Sequence, residues 1–402
     1  MFYNSTNTVY VPTKKDLIKF VGLLAILVCT YPFVFQAFLP LPSISLLVPI
    51  TIGIYFVFVK KKTKILNHPI TKIACFQILG TILTFVYSMD MEYIKQFLYI
   101  IWGICFLSLI NELGVYKFLF LFNRLILILG ILGTLSFFLS VFLGNNVLFE
   151  FVGGDDRTSG LTYFTFSNSI YEGFIRYAGV FDEPGAMAFW GMFSLITNKV
   201  FINDKKIEIP LIICLAFTFS LAYFIQLFIY FLFFYVLNEF SFKRFVLVII
   251  LILGVITYLF TLDTSSFIYQ ATLGRLGIGN SIDFVSDNNR VSYMEKSYAL
   301  FKRSPVFGVG PSVILEKEAI DNPYETLARD GVIGAFFIYL PLIASVFYSK
   351  LNRSIIIAAF ILFVGYLQRP FHFQFMHYTM LYLFFFIACT KNIKYQRCHL
   401  TK

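Results

Sequence analysis

Charged residues are scarce in this chain of 402 residues. Asp, Glu, Lys and Arg together make up 13% of it, whereas 58% of the residues are hydrophobic. A soluble domain carries about 25% charged residues, so the composition excludes a chain of soluble domains. The net charge of +10 comes from lysines that cluster beside apolar runs rather than from a basic domain. That arrangement argues against nucleic acid as a partner and in favour of charges that orient a membrane protein.

Cysteine and histidine are also few, and their spacing excludes the common bridged and metal-binding motifs. Five of the six cysteines lie in apolar runs, and none belongs to a Cys-x-x-Cys pair. They read as small buried side chains rather than as disulfide partners or ligands. Of the four histidines, His372 and His377 are the closest in sequence, but their spacing does not place both on one helix face. We therefore expect no metal and no other cofactor.

Long apolar runs make up most of what remains. A spanning helix needs about 20 mostly apolar residues, and the first run lacks a small-residue cleavage site, so we interpret it as a signal anchor. We expect an all-α polytopic membrane protein, a single integral membrane domain over residues 1–402, with about 12 transmembrane helices. The candidate spans are 17–37, 43–59, 70–89, 93–111, 119–143, 185–203, 208–220, 222–238, 244–261, 331–348, 353–368 and 373–390.

The stretch 208–238 decides the number of spans, because it is long for one helix and short for two. If it formed one helix, every later loop would change sides. Lys243, Lys350 and the basic tail would then lie outside, against the preference of Lys and Arg for cytoplasmic loops. We therefore predict two helices joined by a tight outer turn near Ser220-Leu221-Ala222, with both termini in the cytoplasm.

Two long stretches then remain on the outer side, 144–184 and 262–330. Long loops of this kind are usually functional. Within the second, Val291 to Phe301 has the apolar spacing of an amphipathic helix, which Ser304-Pro305 would end before a glycine-rich turn over 308–311. The alternative is an interfacial helix that binds no ligand.

The stretch Arg176 to Ala186 concentrates charge at the mouth of an apolar run. It contains Arg176, Asp182 and Glu183, and it leads directly into Met187–Ile196. A helix that begins near Pro184 would turn its positive end towards this cluster, which suits an anion. The alternative is a loop that ends in a capped helix, with Glu183 paired to Arg176 only to shape the loop.

Three patterns follow one another in fixed order over residues 170–345. They are Arg176, Gly179, Phe181 and Glu183-Pro184-Gly185; then Arg290, Ala299-Leu300, Pro305 and Phe307-Gly308-Val309-Gly310; then Asn322, Tyr324, Leu327, Gly331 and Gly334. Together they resemble the O-antigen polymerase and O-antigen ligase superfamily of bacterial glycan assembly. The Glu-Pro-Gly element is closer to the polymerases, often called Wzy. The resemblance implies a GT-C-like helical fold in the cytoplasmic (inner) membrane, with the reaction on its outer face.

Two departures from the family pattern bear on function. Ser220-Leu221-Ala222 stands where the family often has Ser-Arg-Gly-Ala, so one expected arginine is missing. Asp321-Asn322 stands where the ligases carry a His-Asn pair. The second departure favours a polymerase over a ligase, because the histidine proposed to be catalytic in ligases is absent.

The implied reaction is a metal-independent glycosyl transfer from a polyisoprenyl diphosphate. Arginine can neutralise the departing diphosphate bidentately, and the attacking hydroxyl needs a general base within hydrogen-bond reach. Glu183 is the first choice for the base, with Asp321 and Glu325 behind it. The implied partners are an undecaprenyl-diphosphate-linked oligosaccharide, membrane lipid and a chain-length regulator protein. The residues assigned to catalysis are Glu183, Arg176, Arg290 and Asp321, and those assigned to substrate binding are Arg275, Asn322, Tyr324, Glu325, Gly308 and Gly310.

Two other functions stay open on the sequence. A ligase would transfer a finished glycan to another acceptor and would share the arginines. A transporter or flippase would bury charges within the spans and would contain helices interrupted inside the membrane. The sequence favours the polymerase over the transporter, because its charges gather in the predicted outer loops.

Overall fold

The structure is a computed structural model of a mostly helical chain. It describes residues 10–30, 32–35, 68–152, 158–171, 174–237, 289–320, 322–370 and 374–400, and four single positions, 254, 257, 261 and 263. The helices are α1 Lys14–Val28, α2 Pro69–Ser88, α3 Tyr93–Leu113, α4 Val115–Leu143, α5 Pro184–Thr197, α6 Lys205–Ala216, α7 Leu221–Phe231, α8 Asn289–Arg303, α9 Pro311–Glu316, α10 Glu325–Ile338, α11 Leu340–Tyr348, α12 Arg353–Gln368 and α13 Phe375–Leu400. Single π-helical segments extend α5 over Asn198–Ile202 and α7 over Leu232–Val236.

Five helices in the described part of the chain are long and apolar enough to cross a membrane. They are Pro69–Ser88, Tyr93–Leu113, Val115–Leu143, Pro184–Ile202 and Glu325–Tyr348. The expectation of a helical membrane protein is therefore confirmed, whereas the count of twelve stays a prediction. The predicted span 43–59 lies outside the described residues, and 244–261 does so almost entirely. The first run is shorter than predicted, because α1 already ends at Val28.

The two helices predicted for residues 208–238 are confirmed as α6 and α7, and the break between them lies at Phe217–Ser220, slightly before the predicted turn at Ser220-Leu221-Ala222. The turn does not reach as far as the end of α4. Phe217 and Phe219 pack on Phe137, with ring centroids 5.2 and 5.6 Å apart. Six residues of α4 follow Phe137, which is about 9 Å of helix at a rise of 1.5 Å per residue.

The first predicted outer loop, 144–184, contains short β-strands that were not predicted, within a chain that is mostly helical. Its residues are rich in Val, Phe, Thr and Tyr, which favour strands. The strands β1 to β3 form one antiparallel sheet in that order, and β4 pairs with β5. In chain order they are Val147–Val152, Thr158–Thr162, Thr165–Ser167, Ile170–Tyr171 and Phe174–Ile175. Phe166 of β3 also bridges to Gly179, which ties the sheet to the Arg176–Glu183 stretch.

The core lies between the helices, where aromatic rings pack on glycine backbone and on one another. Trp102 of α3 stacks on Phe375 of α13 at 3.8 Å between ring centroids. Tyr177 lies directly against Gly133 of α4, where even a β-carbon would clash with its ring. Small residues let helices approach closely within a membrane, so these contacts set the spacing of the bundle.

The bundle has two chemically different ends. We call the end where α5, α10 and α13 begin the motif end, and the opposite end, where α5 and α11 finish, the lysine end. At the lysine end, Lys199 donates to Glu208 of α6 at 3.1 Å, and Lys117 donates to Asp16 at 2.9 Å. The three sequence patterns lie at the motif end, where α5 and α10 begin.

Candidate functional site

A break in α10 joins the second and third patterns. Gly331 has φ 64° and ψ −174°, which interrupts the helix near its start. The backbone of the Pro305–Gly310 segment pairs with the chain around this break. Val309 and Gly310 donate to the carbonyls of Ala328 and Arg329 at 2.9 and 3.0 Å, and Val332 donates to Pro305 at 2.9 Å. The hydrogen bonds lost at the break are thus supplied by the second pattern.

Gly308 is required for this pairing. Its φ is +76°, and a β-carbon there would lie 2.1 Å from the carbonyl oxygen of Arg329. Gly310 follows with φ +92° beside Asp90. Both glycines were assigned to substrate binding from the sequence. The structure gives them backbone roles, because they let two chain segments meet at van der Waals distance.

A buried ionic cluster lies at the same break. Arg329 is 1% exposed, and its Nε and Nη2 donate to Asp330 at 2.8 and 2.5 Å. Glu325, one helical turn earlier, is 3.6 Å from Nη1 of Arg329. Tyr93 of α3 closes the cluster, since its hydroxyl lies 2.9 Å from Asp330 Oδ1. Buried charges are retained when they are paired and hydrogen-bonded in this way.

Glu183 pairs with Arg369, not with Arg176. Glu183 is the residue directly before α5, and Arg369 follows the last residue of α12. Their side chains are 17% and 12% exposed, so this pair is more accessible than Arg329 and Asp330. The alternative of a Glu183–Arg176 ion pair is therefore wrong about the partner.

This contact explains the Glu-Pro-Gly element residue by residue. Glu183 supplies the carboxylate, and Pro184 occupies the first helical position, where its missing N–H is not needed. Gly185 leaves room for the guanidinium, because a β-carbon there would lie 2.0 Å from Arg369 Nη2. The guanidinium therefore rests on the first turn of α5, beside the positive end of the helix dipole.

An aromatic group lies between this pair and the Arg329 cluster. Tyr366, one turn before Arg369, contacts Phe189 of α5 and the imidazole of His377, with ring centroids 5.1 and 4.4 Å apart. His377 is buried, and the Tyr339 ring of the α10–α11 junction lies 6.5 Å away. The helices that follow the first and third patterns, α5 and α10, thus reach the same set of rings through Phe189 and Tyr339.

Arg176 supports the short α6–α7 turn. It is 5% exposed, and its Nε and Nη2 donate to the carbonyls of Thr218 and Phe219 at 3.1 and 3.2 Å. These carbonyls lie in the turn between α6 and α7, outside both helices, so the guanidinium supplies donors that no helix provides. Two of the three guanidinium nitrogens of Arg176 therefore hold backbone, which favours a positioning role over direct contact with a substrate.

Asn322 also serves the local structure. Its amide donates to Ser297 of α8 at 2.8 Å and to the carbonyl of Ala319 at 3.1 Å, and its oxygen accepts from the N–H of Tyr324. Tyr324 lies against Tyr298, with ring centroids 5.2 Å apart. These contacts fasten the predicted amphipathic helix, which is confirmed as α8, to the start of α10.

Three further site residues were predicted from the sequence: Arg290, Arg275 and Asp321. Arg290 lies in the first turn of α8. Arg275 and Asp321 lie outside the described residues. Their assignments to diphosphate and proton transfer therefore stay predictions.

Sequence reasoning missed Arg329 and Arg369 as site residues. Arg329-Asp330 stands inside the third pattern, immediately before Gly331, where a charged pair at the mouth of an apolar run is costly unless it is satisfied. Arg369-Pro370 ends an apolar run in the same way. A charged residue at the end of an apolar run could therefore have identified both residues from the sequence, but it would not have predicted their partners.

Within the described ranges, no three His, Cys, Asp or Glu side chains are grouped so that they could hold a metal ion. No protein family model, no curated protein and no solved structure matches the chain.

Proposed function

We propose that the protein is a polymerase-type glycosyltransferase. It would join oligosaccharide units carried on a polyisoprenyl diphosphate into a surface polysaccharide, on the outer face of the cytoplasmic membrane. The observation that best supports this proposal is the Glu183–Arg369 pair at the start of α5. It combines a carboxylate, a guanidinium and a helix N-terminus at one partly accessible point, within a stretch that resembles the polymerases.

The chemistry of the reaction calls for these groups. A hydroxyl oxygen of the incoming unit attacks the anomeric carbon of the chain. The bond from that carbon to the diphosphate breaks, and the lipid diphosphate leaves with the electron pair. Arg369 and the N–H groups of α5 would bind the departing anion, and Glu183 would take the hydroxyl proton. Positive charge aimed at developing negative charge is typically the largest catalytic contribution.

The Arg329 cluster would support this site rather than touch the substrate. Arg329 and Asp330 are each 1% exposed and are already paired with one another. Their contacts hold the break in α10 and the ring group that packs beside Tyr366. Arg176 would act similarly through the α6–α7 turn. Arg275 and Arg290 would supply further positive charge for the diphosphate.

The test replaces the native gene by single variants and separates the surface polysaccharide on a gel. Under the proposal, Glu183→Gln and Arg369→Gln stay in the membrane at normal abundance. Chain extension falls by about 10²–10⁴-fold on loss of the general base Glu183 and by about 10²–10³-fold on loss of the anion-binding Arg369. The ladder then collapses to one repeat unit. Arg303→Gln, at the end of α8, is the matched control and keeps the ladder. Long chains of normal length in both Glu183→Gln and Arg369→Gln would refute the proposal.

A transporter is the second candidate, and one observation favours it. Arg329 and Asp330 are buried at an interruption of a candidate span, which is the arrangement expected around transported substrates. The backbone bonds from the second pattern, however, occupy the carbonyls of Ala328 and Arg329 at this break. Flipping of a lipid-linked glycan by the purified protein in vesicles, without extension, would establish the transporter.

A ligase would give a different result. Deletion of its gene would leave long chains still attached to lipid diphosphate.

A further inference from the structure

The outward side of α4 is apolar up to the end of the helix. Ile128, Ile131, Leu135, Phe138 and Phe142 follow at alternating spacings of three and four residues, and they are 54, 42, 48, 41 and 78% exposed. Such a stripe at helical spacing faces lipid in a membrane protein. The stripe therefore identifies the lipid-facing side of α4 from Ile128 to Phe142.

The lipid core next to α4 can be located from the charges on the helix. The last charged residue is Arg124, which is exposed and lies 4.0 Å above the Phe120 ring, one turn towards the lysine end. Long basic side chains reach for the interface in this way. From Leu125 to Leu143 the helix carries no charge. These residues span about 28 Å, close to the thickness of the hydrocarbon core.

The turn between β2 and β3 folds back along this helix. The N–H of Phe164 donates to Ser136 Oγ at 3.0 Å, and the hydroxyl of Tyr163 donates to the carbonyl of Gly144 at 2.7 Å. Ser136 lies seven residues before Leu143, which is about 10 Å below the end of α4. Phe164 is nevertheless 57% exposed. An exposed phenyl ring thus lies at a depth where the neighbouring helix faces lipid.

We propose that the β2–β3 turn is inserted into the lipid of the motif-end leaflet, with Phe164 against phospholipid acyl chains. The occupant of this surface is lipid because Phe164 lies at the depth of the uncharged Leu125–Leu143 stretch, whose outward side is the apolar stripe. The β1 strand would lie at the headgroup level, since Glu150 is exposed there between Leu148 and Val152. Insertion to this depth is typical of interfacial segments.

This insertion would hold part of the candidate site at a constant depth. Phe166, two residues after Phe164, accepts from the N–H of Ala178 and donates to the carbonyl of Gly179, both at 2.9 Å. Ser167 Oγ donates to the carbonyl of Arg176 at 2.5 Å. The anchored sheet therefore carries the stretch that leads to Glu183. The insertion itself does not depend on the proposed reaction.

Tryptophan quenching by brominated lipid tests the insertion. The two native tryptophans, Trp102 and Trp190, are buried, so their emission can be subtracted using the parent protein. Phe164→Trp is reconstituted in nanodiscs of phosphatidylcholine brominated in mid-chain. Leu315→Trp, on α9 among charged residues and 59% exposed, is the matched water-facing control. We expect the added emission of Phe164→Trp to fall about twofold or more, and that of the control to stay unchanged.

Each other outcome overturns the proposal. If aqueous iodide quenches Phe164→Trp and brominated lipid does not, the turn lies in water. If neither quencher acts, another protein or a second copy covers the ring. Phe142→Trp, at the end of α4, provides a second reading if Phe164→Trp does not fold. It should respond to lipid brominated near the headgroup, and failure of this response would place the end of α4 outside the bilayer.

Discussion

The two ends of the bundle both bury carboxylates, but they use them differently. At the lysine end, Glu208 is 0% exposed and accepts from Lys199 at 3.1 Å, from Tyr230 at 2.5 Å and from Tyr235, with Lys205 at 3.4 Å. These donors come from α5, α6 and α7, and two of them lie in the π-helical segments. The carboxylate is thus enclosed by neighbouring elements, which is a way to lock short helices together.

At the motif end, one pair joins elements that are far apart in sequence and the other joins neighbouring residues, and both lie where a helix begins or is interrupted. Glu183 and Arg369 meet between the start of α5 and the end of α12, and they are partly exposed. Arg329 and Asp330 lie at the Gly331 break. Burial of a charge therefore does not by itself mark a site. Partial accessibility distinguishes the Glu183–Arg369 pair from the enclosed carboxylate of Glu208.

Removal of Arg329 should have the largest effect on stability. Arg329→Met leaves Asp330 and Glu325 buried without their cation, which typically costs about 3–5 kcal/mol. We expect little folded protein in the membrane, measured as the recovery of a monodisperse peak after mild heating in detergent. The double variant Arg329→Met/Asp330→Asn should recover part of that loss, because it removes one orphaned charge.

Arg303→Met is the control for that experiment, since Arg303 lies on the surface of α8 and should tolerate the change. A single Arg329→Met variant as stable as the control would show that the cluster is not needed to hold the break. The contrast between the two ends would then rest on the Glu183–Arg369 pair alone.

A side chain at Gly331 should have the next largest effect. Gly331→Ala places a β-carbon 2.3 Å from the carbonyl of Val306 at a φ of 64°, a conformation that costs about 1–3 kcal/mol before the clash is counted. The thermal midpoint should fall, and the second and third patterns should separate, measured as faster amide exchange at Val309 and Gly310.

Gly22→Ala is the matched control for Gly331→Ala. A β-carbon at Gly22 in α1 would meet nothing within 4 Å, so this change should stabilise the helix by about 0.5–1 kcal/mol. Unchanged exchange at Val309 in Gly331→Ala would contradict the role given to the break.

Glu208→Gln should have the smallest effect of the three and should act on stability alone. The amide oxygen can still accept from Tyr230, but Lys199 loses its counter-charge, which costs about 1–3 kcal/mol. We expect a lower thermal midpoint and a polysaccharide ladder of normal length once abundance is corrected. Glu92→Gln, in the exposed pair with Lys95, is the control. A collapsed ladder at normal abundance would assign function to the lysine end.

The apolar runs predicted most of the described helices, because in lipid the backbone must satisfy its own hydrogen bonds and a helix does so locally. The same reasoning with the lysines predicted two helices within 208–238. The strands of 144–184 escaped prediction, since short alternating segments give a much weaker signal than long apolar runs. The Gly308–Gly310 turn was predicted, but its hydrogen bonds to the backbone around Gly331 were not. Those bonds join segments that only packing brings together.

Composition and local residue patterns were enough to predict a helical membrane protein, the places where its charges gather, and a helix that begins at Glu183-Pro184-Gly185. Each of these depends on the composition or on residues within a few positions of one another. The pairing of Glu183 with Arg369, the contacts of Arg176 with a turn and the burial of Arg329 at a break are visible only once the helices have packed. An ion pair depends on the distance between two charged groups in space, and the order of residues along the chain does not set that distance.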